Sequence, residues 1–522
     1  MSKNKLIFLL FFLLLCGSLL RGNHLSGRSL WTDEFFTLFL GSGHGREMKP
    51  FLDSFALRKP PPVIKAQAFK AFLKNDRQKG IRDVTEGMLY ADTHPPFYFW
   101  LMYFWMRLFG DGAGAIRSFS LICGVLAIFM AYKAGKHLLD SRTACFCALY
   151  VAICAFAVRY SQEARAYSLI MLIGLTSLFL SLRFEKDRGI LDGLLFMLIN
   201  AIGIYTHYFY IFIAFAQFLY YTIMHRKNSA LLTRFYIFFL GSIFLLLPWV
   251  LAVAQRGYNY YLAEWIFGYP GLINKASSFF LGLIGYITVL PVSNKTISAL
   301  FNTAIILLFV WMAAPAIKDM FIRYRRQCLF CLILFFLPVT GMLFIDILQC
   351  GALLRQERFW VFSFIGFIPI MGYILRYIYD RKRMIFYSFI SFMAISSLWA
   401  GRMQFGPAPA AVSEWINREA SSANKSAVII YNIRSAVFAQ AYYLDDDIYL
   451  APVADKQQLE EVFQELGSST QKIFLVRHYH RTDNSLMTQP FMQAEYSGRG
   501  FCHKKDMKRD DIGISEYVKC VL

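Results

Sequence analysis

Trp31-Thr32-Asp33-Glu34 places two adjacent carboxylates just beyond an apolar run, Leu6 to Leu20. Ionised side chains at the mouth of a membrane span are costly unless they face water, a partner charge or a substrate. A positioned carboxylate can take the proton of an attacking hydroxyl, so Asp33 and Glu34 are the candidate catalytic pair. Three further clusters carry complementary chemistry. Asp92-Thr93-His94-Pro95-Pro96 precedes an aromatic stretch, and the prolines set the start of a helix. Tyr160-Ser161-Gln162-Glu163-Ala164-Arg165-Ala166-Tyr167 and Arg355-Gln356-Glu357-Arg358 each combine acids with guanidinium groups. Arginine grips a phosphate in two places. Acids and arginines gathered at one membrane face suit a substrate with a negative head and an apolar tail. Asp92, His94, Glu163, Arg165, Tyr167 and Arg358 of these clusters, with His207 of Thr206-His207-Tyr208-Phe209, are the candidate substrate-binding residues.

Each cluster also has a structural alternative. Thr32 or Asp33 can cap a short helix over Phe35 and Phe36. Arg165 can pair with Glu163, Arg358 can snorkel to the headgroups, and His94 and His207 stand isolated in the sequence. No recurring His/Cys/Asp spacing marks a metal site. Asp33, Glu34 and Glu163 offer oxygen ligands to Mg²⁺ or Mn²⁺, while the arginines can neutralise a phosphate without one. The expectation is no obligatory metal. Gly110-Asp-Gly-Ala-Gly114 lacks the lysine and strand of a phosphate-binding loop.

The elements that must position these residues are membrane spans. The chain is 57% hydrophobic and 17% aromatic, with mean hydropathy +0.43, well above ordinary soluble domains. Its formal charge of +20 argues against nucleic acid because of where the charge lies. Lys and Arg cluster in short connectors at 133–142, 183–188, 226–234, 318–326 and 376–383, as the positive-inside rule expects of cytoplasmic loops. About eleven spans, starting inside and ending outside, satisfy that rule. They lie near 6–20, 116–132, 144–158, 167–182, 191–205, 208–223, 235–252, 298–315, 328–345, 360–375 and 384–400. Segments 96–109 and 274–290 fit as interfacial or re-entrant helices; counting both as spans gives thirteen and puts basic loops outside. The first run has the lysines of a signal peptide, but Ser18-Leu-Leu-Arg21 is a poor cleavage site, so a retained anchor is expected.

Residues 1–402 read as the transmembrane domain, with 21–115 as a first outer loop carrying interfacial helices. After the breaker Gly406-Pro-Ala-Pro409, residues 403–522 read as a small extracytoplasmic α/β domain with a mainly parallel sheet. Its expected strands are Val428–Tyr431 and Ile473–Val476; its expected helices are Val412–Ala420, Ala436–Tyr443 and Lys456–Leu466. Eight of the ten cysteines lie in or near spans, where a thiol is a small apolar residue. Cys502 and Cys520 are a candidate disulfide of the tail if its compartment is oxidising.

Taken in order, DE after the first span, HPP before an aromatic helix and YSQEARAY after the third span resemble the GT-C membrane glycosyltransferases. The nearest branch is that of the dolichyl-phosphate-mannose protein mannosyltransferases and lipid A aminoarabinose transferases. His94 to Phe184 carries most of the resemblance, supported by Thr206-His207-Tyr208-Phe209 and Arg358, and it extends over about the first 400 residues. The tail is similar to extracytoplasmic domains of some bacterial members. The resemblance implies transfer of a sugar from a polyprenyl-phosphate donor to a hydroxyl of a protein, glycolipid or polysaccharide at the outer face of the plasma membrane. It places Asp33 at the acidic position of the first loop, His94 where some relatives have a lysine near the lipid phosphate, and Arg358 near the donor phosphate. Glu163 is the candidate for the second acidic position. A donor phosphate leaving with negative charge calls for groups such as Arg165 and Arg358. A single carboxylate pair implies inversion at the anomeric carbon. The rival from another class is a transporter or lipid flippase, which places charges at mid-bilayer; a membrane scaffold with a docking tail is a third.

Overall fold

The computed structural model describes residues 2–48, 50–51, 63–187, 189–256, 271–289, 295–349, 351–403, 409–420, 426–431, 436–453, 458, 461–462, 466, 470–478, 501–509 and 512–519. They divide into two compact units. The first comprises 1–26, 93–101 and 116–403; the second comprises 27–92, 102–115 and 404–522.

In the first unit, apolar sequence becomes helix because hydrocarbon leaves a backbone no other partner than itself. Among the described residues, eight helices are long and apolar enough to cross a membrane, from Asn4–Gly22 to Arg383–Ala400. Shorter apolar helices occupy Ser141–Ile153, Ile190–Thr206, Tyr210–Met224 and Lys275–Gly285. Eight of the eleven expected spans fall on the long helices, 144–158, 191–205 and 208–223 fall on shorter ones, and Lys275–Gly285 lies within the segment expected to be re-entrant. Small residues let helices approach, as in other membrane bundles. Gly372 packs on Cys147 so closely that a Cβ there would overlap its sulfur. Buried amides and hydroxyls link neighbours: Gln217 Nε2 donates to Ser177 Oγ at 2.9 Å, and Ser177 Oγ lies 3.0 Å from Asn200 Oδ1.

One expected span differs in kind. Residues 144–158 are not one helix: Ser141–Ile153 ends, Cys154 is extended (φ −71°, ψ 122°), and Ala155–Tyr160 begins anew. The break leaves the carbonyls of Val151, Ala152 and Ile153 without helical partners. Arg21 donates to Val151 at 2.8 Å and to Ala152 at 3.0 Å, and Ser397 donates to Ile153.

Among the described residues, the second unit contains a six-stranded sheet of order β1-β3-β2-β4-β6-β5. Its strands are β1 (Ile64–Lys65), β2 (Ser426–Tyr431), β3 (Tyr449–Val453), β4 (Lys472–His478), β5 (Phe501–Arg509) and β6 (Ile512–Lys519). β2 runs parallel to β3 and β4, but β1–β3, β4–β6 and β5–β6 are antiparallel. The sheet is therefore mixed rather than mainly parallel. Lysines and arginines mask β5 in the sequence, a common way to blunt an edge strand. Helices Pro409–Ala420 and Ala436–Tyr443 correspond to two of the expected three. Of the third, residues 458, 461–462 and 466 are helical and the rest lies outside the described residues, as does Cys520 of the candidate disulfide. Ala451, Val453, Val462, Leu466, Ile473, Leu475 and Tyr517 form the sheet's core. The loop segment 27–92 joins this unit through β1, whose Ile64 pairs with Leu450, and through aromatics. Phe39, Phe69 and Phe72 surround Phe438 with centroids 5.8–6.3 Å away.

Candidate active site

The histidines and arginines come together in the first unit. His94, just before helix Phe97–Phe109, lies edge-on to His207 with ring centroids 5.3 Å apart. His207 ends helix Ile190–Thr206, and its Nδ1 accepts the Phe209 N–H at 3.1 Å. That bond leaves Nε2 as the proton-bearing nitrogen of the neutral ring. Arg165 and Tyr167 open helix Tyr167–Asp187. Together with Tyr98, Phe99, Ala166 and Thr206, they and the two histidines line a narrow pocket. The two isolated histidines of the sequence are thus neighbours in space.

The Arg358 segment reaches the same region. Phe359 packs 5.8 Å from the His207 ring, and the Arg358 guanidinium lies 5.6 Å over Phe359. Arg159, on the short helix before the YSQEARAY motif, connects the acids. It donates to Glu357 at 2.5 Å and approaches the buried Glu163 at 4.0 Å. HPP, YSQEARAY, THYF and RQER therefore meet in one unit. Arg159 and Glu357 escaped the sequence-based assignment of roles. The available signal was the (i, i+4) spacing of Arg159 and Glu163, which brings side chains together on a helix.

An apolar groove of about 410 Å³ runs along the same helices. Phe97 and Leu101 line it from one, Leu172 and Thr176 from the second, Ile199 and Ile202 from the third, and Leu126 and Phe129 from helix Ala113–Leu138. At 1.5 Å per residue, Thr176 and Ile199 lie roughly 10–14 Å along their helices from Tyr167 and Thr206. The polar pocket sits at the head of the groove's own helices.

Asp33, Glu34 and Asp92 belong to the second unit. Helix Thr32–Gly41 begins at the acidic pair, and the Glu34 carboxylate accepts the Trp31 N–H at 3.2 Å. Glu34 is fully buried and caps the helix start, a part for which Thr32 and Asp33 are the alternatives the sequence offers. Asp33 is half-buried and its backbone carbonyl receives the Thr37 hydroxyl. The Leu30 N–H donates to Tyr443 Oη at 2.8 Å, and Phe35 packs 5.6 Å from Tyr442, so helix Ala436–Tyr443 fixes the start of the acidic helix. Asp92 follows the last turn of helix Ile81–Ala91. Among the described residues no group of three or more His, Cys, Asp or Glu is arranged to hold a metal ion.

Residues 93–253 match the family of dolichyl-phosphate-mannose-protein mannosyltransferases. That stretch contains His94, Glu163, Arg165, Tyr167 and His207. No curated protein matches the chain in sequence. Among solved structures, the chain is similar to ArnT from Cupriavidus metallidurans bound to undecaprenyl phosphate. Identity is 12%, coverage is 99% of this chain and 98% of that one, and the TM-score is 0.58. It is also similar to the archaeal oligosaccharyltransferase AglB from Archaeoglobus fulgidus, in complex with an inhibitory peptide and a dolichol-phosphate. There identity is 11%, coverage 96% and 71%, and the TM-score 0.50. The chain is a polytopic helical membrane protein with the GT-C fold, and the segment that matches the mannosyltransferase family builds its histidine–arginine pocket.

Proposed function

We propose that the protein transfers a sugar from a polyprenyl-phosphate donor to a hydroxyl of an envelope acceptor, at the outer face of the plasma membrane. The observation that carries this reading is the polar pocket heading an apolar groove on shared helices. A polyprenyl-phosphate sugar is a molecule of that polarity, with its anomeric carbon held near the interface. Arg165 and Arg358 are assigned to the donor phosphate, whose negative charge grows as the glycosidic bond breaks. His94 and His207 are assigned to orienting phosphate and sugar. With Glu34 engaged as a cap, Asp33 is assigned as the base that takes the acceptor's proton. Attack by the activated hydroxyl on the anomeric carbon, with the lipid phosphate leaving from the opposite side, inverts that carbon. Mg²⁺ or Mn²⁺ is not required in this scheme, and turnover is expected to survive exhaustive chelation. The α/β unit is assigned to the outer compartment, a reading supported by the charge distribution of the loops.

Mass spectrometry of envelope glycans tests the reading in a strain lacking the gene, complemented with wild type or Asp33→Asn at matched expression. A sugar restored by wild type alone supports it and reveals sugar and acceptor. Unchanged glycans in every strain contradict it.

A further inference from the structure

Arg21 is completely buried near the end of the first helix. Burying a guanidinium costs several kcal/mol unless its donors are met. Here they are met by the broken span. Besides Val151 and Ala152, Arg21 Nη1 donates to Gly17 O at 3.1 Å, and Nε donates to Ser161 Oγ at 3.1 Å. Gln162, also completely buried, answers in the reverse direction. Its Nε2 donates to the carbonyls of Leu20, Arg21 and Asn23 at 3.2, 3.0 and 2.9 Å, closing the end of helix Lys3–Gly22.

The surroundings are shaped for this exchange. A Cβ at Gly124 would overlap Ser161 Oγ and lie 3.0 Å from Arg21 Nε. Downstream, the Arg165 N–H donates to Glu163 O at 2.8 Å, and Ser120 Oγ donates to Arg165 O at 3.2 Å. The loop 161–165 is thus tied to helix Lys3–Gly22 at its start and to helix Ala113–Leu138 at its end.

We propose that Arg21 and Gln162 are positioning residues, which hold the Ser161–Arg165 loop in its working conformation: Arg21 by capping helix Ser141–Ile153 and donating to Ser161, Gln162 by capping the end of helix Lys3–Gly22. The inference rests on the transferase reading, in which that loop delivers Arg165 to the donor phosphate. Arg21 touches no substrate in this account; it acts through the loop.

The test uses the full-length protein in proteoliposomes, comparing wild type with Arg21→Lys, Arg21→Met, Gln162→Leu and Gly124→Ala. Turnover per folded molecule is read with a polyprenyl-phosphate sugar, alongside amide hydrogen exchange of residues 161–166. A misplacement of about 1 Å costs about 10²-fold in rate. Arg21→Met and Gln162→Leu should therefore lose about that much kcat, with donor KM changing less than about threefold. Their loop amides should exchange faster than in wild type, while those of helix Val361–Arg381 stay as they were. Arg21→Lys should recover part of the rate, and Gly124→Ala should reproduce the defect with both donors intact. Unchanged kcat per folded molecule and unchanged loop exchange would overturn the proposal, even if folded yield fell. An inactive wild type would instead defeat the transferase reading, and loop exchange would still decide the positioning role. If Arg21→Met does not fold, Arg21→Lys and Gly124→Ala decide it by the same two readouts.

Discussion

Two polar clusters of the transmembrane unit repay comparison. One surrounds Asp140, where helices Ala113–Leu138 and Ser141–Ile153 meet. Its carboxylate accepts the backbone N–H groups of Arg142 and Thr143 at 2.9 and 3.0 Å, and the hydroxyls of Thr143 and Tyr324 at 2.9 and 3.2 Å. Arg376 adds a charged donor at 2.5 Å, and Arg142 pairs with Asp380. The other cluster is the pocket of His94, Arg165, Tyr167 and His207, with Arg159 between Glu163 and Glu357. In the first, acids and cations from distant parts of the chain meet each other and tie helix ends together. In the second, imidazoles and a guanidinium line a pocket at the head of helices that also line an apolar groove. Charge in a membrane protein can be a fastening or a tool, and the cavity is what separates the two.

The comparison breaks most readily at its active end. Arg165→Ala should lower transfer by about 10²–10³-fold, the loss typical of removing one donor to a developing anion, at unchanged thermal stability. Asp33→Asn should lower it by about 10²–10⁴-fold in the same reconstituted assay. An activity within threefold of wild type would remove either residue from its assigned role.

At the structural end, Asp140→Ala should destabilise the transmembrane unit by about 1–3 kcal/mol by orphaning its donors. Thermal unfolding in detergent would show this, while turnover per folded molecule should stay within about threefold. A large loss of specific activity would merge the two clusters into one functional system.

Acid offers a finer test. Burial alone would raise the Asp140 carboxyl, but the Thr143 backbone and hydroxyl donors, Arg376 and Tyr324 hold it below the usual carboxylate range. A depressed carboxylate contributes stability above its unfolded pKa of about 3.9 and loses it as pH falls through the folded value. Wild type should therefore lose melting temperature in acid more steeply than Asp140→Asn. Parallel pH profiles would contradict this. The smallest effect is expected at Glu34, where Glu34→Ala should cost about 0.5–2 kcal/mol as a lost cap and Glu34→Gln, which keeps an acceptor for the Trp31 N–H, less. Comparing their unfolding midpoints checks that order.

Much of the membrane architecture was legible because a span needs only length and apolarity. The break at Cys154 was hidden, since its carbonyls are capped by Arg21, 130 residues earlier in the chain. The partnership of His94 with His207 was equally hidden: nothing local marks two histidines at the ends of different helices as neighbours. The membership of 27–92 in the α/β unit depends on a two-residue strand and an aromatic cluster, too short and too scattered to register as a pattern. The hydrogen bond between Glu34 and the Trp31 N–H was not legible because Trp31 occupies the cap position, where the Ser or Thr of a capping-box pattern would have announced it.

The most direct measurement is sugar transfer from a polyprenyl-phosphate donor in proteoliposomes holding wild type, Arg165→Ala or Asp140→Asn at equal folded amounts. The account predicts a glycosylated product from wild type and from Asp140→Asn, and almost none from Arg165→Ala. Product at equal rates from all three, or donor movement across the bilayer without any covalent transfer, would contradict it.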